Sequence, residues 1–309
     1  MKNHELHHLE KHLLRHIGQL NREYNLIRPG DRLLIGISGG KDSLSCAALL
    51  RALQKRAPFV FHLEGVTLDT GIPEDVRARL HAYMASLEIP YEIRATNINA
   101  TIEQVVTDPK QICTACARFR RGILYDLAFE KRALLVLGHH ADDAMETLLM
   151  NVLFTGKLQA MPPVLVSDDR RNRLIRPMIT CREAAIRRYA QLIEAPVTRC
   201  WCLAGCDLSN GQRARTKRLI AAMEAEYPDT GRHLLAACAN CKPSNLMDAR
   251  LWDFTRLRAD WEVADLPVGQ PDAVKPAVRA KWGDTGGPGA FPGDTAAHGP
   301  AATGQESDD

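Results

Sequence analysis

Apolar residues recur at helical spacing from the start of the chain. Leu9, Leu13, Ile17, Leu20 and Tyr24 are separated by Lys, Arg and Glu over residues 7–26, which predicts an amphipathic helix. Arg28-Pro29-Gly30-Asp31 reads as a turn. The unbroken run Leu33-Leu34-Ile35-Gly36-Ile37 then reads as a buried strand. Small residues and leucines from Leu44 to Leu53 predict the next helix. The alternation continues with a strand over about 59–68, a helix from Pro73 to Leu87 and a strand near Tyr91 to Arg94. A helix over about Ala117–Glu130 and the apolar run Ala133–Leu137 complete it. Strands alternating with helices predict an α/β protein with a doubly wound parallel sheet. From about Glu146 to Arg258 the pattern is more helical, broken at Met161-Pro162-Pro163 and Arg176-Pro177. Beyond Pro267 the chain turns to Pro, Gly, Ala and Asp, too little apolar surface to offset chain entropy, so 267–309 reads as a disordered tail.

Composition narrows the class without naming a function. An apolar fraction of 45% and a charged fraction of 25% are those of an ordinary soluble domain. No apolar run approaches a membrane span, and the polar start Met1-Lys2-Asn3-His4-Glu5 leads into no signal core. A cytoplasmic protein with no membrane partner is the expectation. A net charge of +3 is too small to identify a nucleic-acid partner by itself. The cysteines change the picture more. Nine of them, in a chain read as cytoplasmic, argue against a disulfide framework. Seven fall in three tight groups: Cys113 and Cys116; Cys200, Cys202 and Cys206; Cys238 and Cys241. Grouped thiols in a reducing compartment point to metal or redox chemistry. Cys46 and Cys181 stand apart in apolar surroundings and read as core packing.

The densest chemical signal is Ser38-Gly39-Gly40-Lys41-Asp42-Ser43, placed between a buried strand and a helix. Such a turn aims backbone N–H groups and a helix N-terminus at one point, which makes an anion site. Its glycines admit a phosphate to close range, and Lys41, Ser38 and Ser43 add a cation and two hydroxyls. The alternative is a plain glycine turn with polar neighbours. Two further turns follow strands: Leu68-Asp69-Thr70-Gly71 and Gly138-His139-His140-Ala141-Asp142-Asp143. Ligands in open α/β sheets bind beyond the carboxyl ends of the strands, so all three turns should share one crevice. Asp142 and Asp143, with Asp69, could hold magnesium or position a nucleotide; either of the paired aspartates could instead cap a helix. Cys113-Thr114-Ala115-Cys116 opens a helix, where the N-terminus favours thiolates; zinc, an iron–sulfur centre and a redox dithiol all use this spacing.

The hexapeptide resembles the pyrophosphate loop of the ATP pyrophosphatases, the PP-loop family. The whole set of motifs resembles one branch of it, the bacterial tRNA 2-thiocytidine synthetases. The matching segments are Ser38–Ser43, Leu68-Asp69, the block from Cys113 to Tyr125 with Arg118, Arg120 and Arg121, and Leu137–Asp143. Further on come Gly156-Lys157, Met161–Pro163, Ser167–Asp169, Ile175–Pro177, Pro243-Ser244 and Asp253-Phe254. The resemblance spans about residues 10–255. It implies an adenine nucleotide α-hydrolase-like PP-loop ATPase fold, with an N-terminal helix over 1–30, an ATP-binding domain over 31–200 and a helical cysteine-containing region over 201–260.

The resemblance also implies an activity: ATP adenylates C2 of cytidine 32 in a tRNA anticodon loop, AMP and diphosphate leave, and sulfur enters to give 2-thiocytidine. ATP, Mg2+ and a 4Fe-4S cluster held by three cysteines would be the cofactors, and a cysteine desulfurase the sulfur donor. A homodimer is the candidate assembly. The cluster ligands would be Cys113, Cys116 and a third from the 200–206 group; counting forward from His140 favours Cys202, counting back from Gln212-Arg213 favours Cys206. The nucleotide would be held by Ser38, Gly39, Gly40, Lys41, Asp42, Ser43, Asp69, Gly138 and His139. Lys41, Asp42, Arg120, Asp142 and Asp143 would carry catalysis, and Arg118, Arg120, Arg121, Arg170, Arg171 and Arg173 would meet tRNA phosphates. Cys238 and Cys241 depart from the family pattern. With Cys200 and Cys206 they could bind Zn2+, or they are free thiols. Two rival readings stay open: a tRNA 2-thiouridine synthetase, and a zinc-stabilised tRNA-binding module without catalysis.

Overall fold

The computed structural model describes residues 2–108, 111–198 and 211–257. Cys200, Cys202, Cys206 and the tail 267–309 lie outside the described residues. The central strand is β1 (Arg32–Gly36), whose side chains alternate between two cores. Leu33 and Ile35, with Ile37 just beyond, enter the larger one, and Leu34 enters the smaller. A strand buried on both faces must be apolar throughout, which is why this run carries no polar alternation.

Around β1 lie β2 (His62–Asp69), β3 (Tyr91–Ala95), β4 (Leu134–Val136), β5 (Val164–Val166) and β6 (Arg173–Ile175), in the order β3-β2-β1-β4-β6-β5. Every pairing is parallel except the edge hairpin β5–β6. The order runs one way from β1 to β3 and the other way from β4 outward, so the switch point falls between β1 and β4. That is where a doubly wound sheet opens its crevice. The expected parallel architecture is present, with one antiparallel edge strand added.

One face carries α1 (Lys2–Tyr24), α2 (Lys41–Gln54), α3 (Glu74–Ser86) and α7 (Glu183–Leu192). The other carries α4 (Ile98–Val105) and α5 (Ile112–Glu130). Helices α6 (Ala141–Thr155), α8 (Gln212–Glu226) and α9 (Thr230–Ala237) pack on one another. No helix among the described residues is long and apolar enough to cross a membrane.

Three elements differ from the periodicity reading. Helix α5 begins at Ile112, so Cys113 and Cys116 lie within it, ahead of the apolar repeat that marks its body. Helix α4 was not legible as a helix, since its eight residues bury only Ile98 and Ile102. The region read as helical contains the β5–β6 hairpin, whose three-residue strands are too short to display a period of two. Arg173 of β6 donates to the carbonyls of Asn25 and Leu26 and so anchors the end of α1 to the sheet.

Helix α1 is integral to the main core: Leu9, Leu13, Ile17 and Leu20 are buried against α2 and α7. Leu13→Ala should therefore destabilise the whole protein by about 2–5 kcal/mol, read from denaturant or thermal unfolding. His16, on the same helix, has its pKa lowered to about 4 by burial first and then by the charges of His12 and Arg15. The unfolded imidazole, near 6.5, binds a proton more tightly than the folded one. Stability should thus be full above pH 6.5 and decline as pH falls toward 4. In a pH series of melting temperatures, His16→Gln should remove its share of that decline.

Candidate active site

The loop after β1 is braced by its own serines. The Ser43 hydroxyl donates to the Gly40 carbonyl at 3.0 Å and accepts the Ser38 amide at 3.1 Å. The two hydroxyls are 3.1 Å apart, and the Gly40 amide reaches Ser38 Oγ at 3.4 Å. Gly39 has φ +76°, in the left-handed region where a Cβ is strained. Gly40 is the N-cap of α2 and offers its first-turn amides no side-chain acceptor. An uncapped helix start behind a glycine turn is an anion site.

The turn after β4 is closed by contrast. His140 caps α6 in a capping box: its Nδ1 accepts the Asp143 amide at 3.4 Å, and Asp143 accepts the His140 amide at 3.0 Å. The helix-cap alternative therefore holds for Asp143, with His140 as its partner. Between this turn and the glycine loop lies a crevice of about 380 Å3, lined by Ser38, Asp42, Ser43, Gly138, His139 and Asp143. Arg120, Arg121 and Leu124 of α5 complete its wall. His139 is held neutral at physiological pH, its pKa lowered to about 4 by burial, which outweighs the opposing charge of Asp143. Oδ1 of Asp42 is buried without a hydrogen-bond partner.

Asp69 does not line this crevice. It accepts the amides of Gly71 and Ile72 and pairs with Arg77, so it folds its own turn. Asp142 also points elsewhere, accepting the Glu183 amide at 2.6 Å and pairing with Arg182. The crevice thus unites two of the three expected turns, and from the third segment only Leu68 lines it.

The Lys41 ammonium lies on Glu183 at 2.9 Å and on Asp42 at 3.0 Å. Glu183, 11% exposed, also accepts Lys217 at 2.5 Å and Arg187 at 3.0 Å. Burial alone would raise the Glu183 carboxyl, but its three cations hold it far below the usual range. Burial likewise opposes the charge on Lys41, and the two carboxylates outweigh it, so its pKa is raised. Arg213 of α8 reaches Asp143 at 3.2 Å and Glu146 at 3.1 Å. Glu183 and Lys217 carry no sequence signal, because their partners are remote along the chain. Arg213 could have been found, since it sits in the Gln212-Arg213 landmark.

Cys116 is buried in the smaller core, one residue before the crevice-lining Ala117. Cys46 and Cys181 are buried in the larger core as expected; burial pushes the Cys46 thiol up to about 12 and raises Cys181 as well. Neither is a ligand. Cys238 and Cys241 are exposed, and Cys238 borders a separate apolar cavity with Leu20, Met161, Pro162 and Leu235. Among the described residues no group of three His, Cys, Asp or Glu side chains could hold a metal. Of the expected tRNA contacts, Arg171 stacks 5.3 Å from the Phe129 ring and pairs with Asp169 and Asp126. With Arg173 also engaged, the cations left open among the described residues are Arg170 and the arginines of α5.

Comparison with known proteins agrees with this geometry. A PP-loop domain model matches residues 9–196. The tRNA-cytidine(32) 2-sulfurtransferase of Yersinia pseudotuberculosis is 39% identical over 261 residues, covering 83% of this chain and 82% of that one. Its namesake from Burkholderia mallei is 40% identical over 258 residues, covering 82% and 76%. The fold is shared with the U34-tRNA thiolase NcsA from Methanococcus maripaludis, solved with its 4Fe-4S cluster, at a TM-score of 0.59 and 22% identity over 74% of this chain and 77% of that one. The chain is a PP-loop protein and belongs to the tRNA-cytidine(32) 2-sulfurtransferase family.

Proposed function

We propose that this chain replaces the C2 oxygen of cytidine 32 in a tRNA anticodon loop with sulfur, using ATP to activate the base. One observation carries the reading: the uncapped glycine loop and the arginine face of the cysteine-bearing α5 line the same crevice. A phosphate site and a sulfur-chemistry helix have no need to adjoin unless a single substrate visits both.

The chemistry follows from what the walls offer. The α2 amides and Lys41 would receive the ATP phosphates and stabilise the negative charge that grows as diphosphate departs. The C2 oxygen of cytosine attacks the α-phosphorus, forming the P–O bond as the bond to diphosphate breaks. A sulfur nucleophile then adds at C2 and the C2–O bond breaks, releasing AMP. Arg120 and Arg121 would hold the nucleic acid and the charge that develops on the base, and Arg118, beside Phe119 on the outer groove of α5, would extend the phosphate contacts. Magnesium commonly uses one or two carboxylates plus substrate phosphates and water. Asp42, with its unpartnered oxygen, and Asp143 fit that role better than Asp142 or Asp69.

For a cluster, Cys113 and Cys116 stand three residues apart in sequence at the start of α5. A third thiolate would come from Cys202 or Cys206. In sequence these two lie between Thr198, which donates to the Gly39 carbonyl at 2.9 Å, and Arg213, which pairs with Asp143. Both flanks of that stretch are thus tied to the crevice walls, which supports this choice. When bound, a cluster with three protein ligands would supply an iron open to sulfide.

The full chain, reconstituted anaerobically and incubated with ATP, Mg2+, a sulfide source and unmodified tRNA, should yield AMP and diphosphate with 2-thiocytidine at position 32; ADP and phosphate would refute the adenylation chemistry. Lys41→Ala should slow turnover about 10²–10³-fold with little change in melting temperature. After anaerobic reconstitution the protein should hold about four irons. Cys116→Ala should lose them, and whichever of Cys202→Ala and Cys206→Ala does likewise identifies the third ligand. Iron retained in all of these variants would remove these cysteines from the cluster's ligand set.

A further inference from the structure

Lys217 belongs to α8, beyond residue 196 where the PP-loop domain match ends. Its ammonium lies on one oxygen of Glu183, and the Lys41 ammonium lies on the other, at 2.5 and 2.9 Å. Arg187 adds a guanidinium at 3.0 Å, and Asp42 gives Lys41 a second carboxylate at 3.0 Å. Glu183 thus meets three cations with one carboxylate, while Asp42 pairs with Lys41 and Glu146 lies within the field of Lys217. Burying one carboxylate calls for one good cation. Adding another ammonium beside the first brings like charges together, and that repulsion is relieved when an anion arrives.

The neighbouring geometry says where the anion would sit. Lys41 is the first residue of α2, and its N-cap Gly40 leaves the helix start open. A latch role alone does not explain Lys217. Helix α8 is already fastened to α6 by Arg213, paired with Asp143 and Glu146, and Arg182, which precedes α7, already pairs with Glu224 of α8. Lysine is also suited to a moving contact, being a compact charge on a flexible stem, and this one is 50% exposed.

We infer that Lys217 is a second phosphate-binding cation of the nucleotide site, so that α8 completes the pocket for the diphosphate end of ATP. The inference rests on the reading that the glycine loop receives the ATP phosphates. Glu183 is the positioning residue: it keeps both ammonium groups beside the loop in the absence of nucleotide and yields them to the incoming phosphates.

The test is equilibrium binding of ATP and of AMP to the full chain. Lys217→Ala should weaken ATP about tenfold or more, as for a charge-assisted hydrogen bond, while leaving AMP affinity unchanged. Lys217→Arg should recover most of the loss. In a Glu183→Gln background, Lys217→Ala should still weaken ATP by a similar factor. Unchanged ATP affinity in Lys217→Ala would overturn the inference, as would an equal loss for ATP and AMP. So would disappearance of the effect in the Glu183→Gln background, since Lys217 would then only shield that carboxylate. Lys41→Ala separates the two levels. If it weakens ATP and Lys217→Ala does not, only the role of Lys217 falls; if neither does, the phosphate-loop reading falls with it.

Discussion

The backbone after β4 and the first turn of α2 meet so closely that a side chain between them would force one of them to shift. A Cβ on Gly138 would stand 3.0 Å from the carbonyl carbon and oxygen of Asp42 and 3.1 Å from the Ser43 amide nitrogen. The pairing of β1 with β4 at the switch point brings these two strand ends side by side, and the missing side chain lets them close. Everything in the crevice is built from that contact. It holds the glycine loop open on one side and sets His139 and Asp143 on the other.

Around this junction the chain keeps a dense set of partly buried charges. Asp142 links the amide of Glu183 to Arg182, Arg182 continues to Glu224, and Arg213 ties Asp143 to Glu146. Such groups contribute little net stability, because desolvation offsets most of the attraction. Each is costly to leave unpaired, so the network enforces one arrangement of α6, α7 and α8 around the loop.

The cysteines show one residue type meeting different fates through environment alone. Cys46 and Cys181 are sealed in the main core, where burial keeps the thiols protonated and inert. Cys116 lies at the start of α5, beside residues that line the crevice. The same helix presents Arg120 and Arg121 to the cavity, so one element carries the thiol and the two cations.

The strands from β1 to β4, the glycine loop and the helix bearing Cys113 and Cys116 were legible in the sequence because each depends on local pattern: an apolar run, a glycine turn, a three-residue spacing. So were the core roles of Cys46 and Cys181, which follow from apolar neighbours. The β5–β6 hairpin and α4 were not legible, since their segments are too short to carry a period. Nor did local pattern distinguish among the aspartates. Asp42, Asp69, Asp142 and Asp143 all follow strands, yet Asp69 folds its own turn and Asp142 serves the start of α7. Only the packing of α7 and α8 decided that Lys41 would share Glu183 with Lys217, residues 142 and 176 positions away. Periodicity and turn chemistry act over a few residues and are written along the chain; the pairing of remote charges exists only once the sheet has brought its helices together.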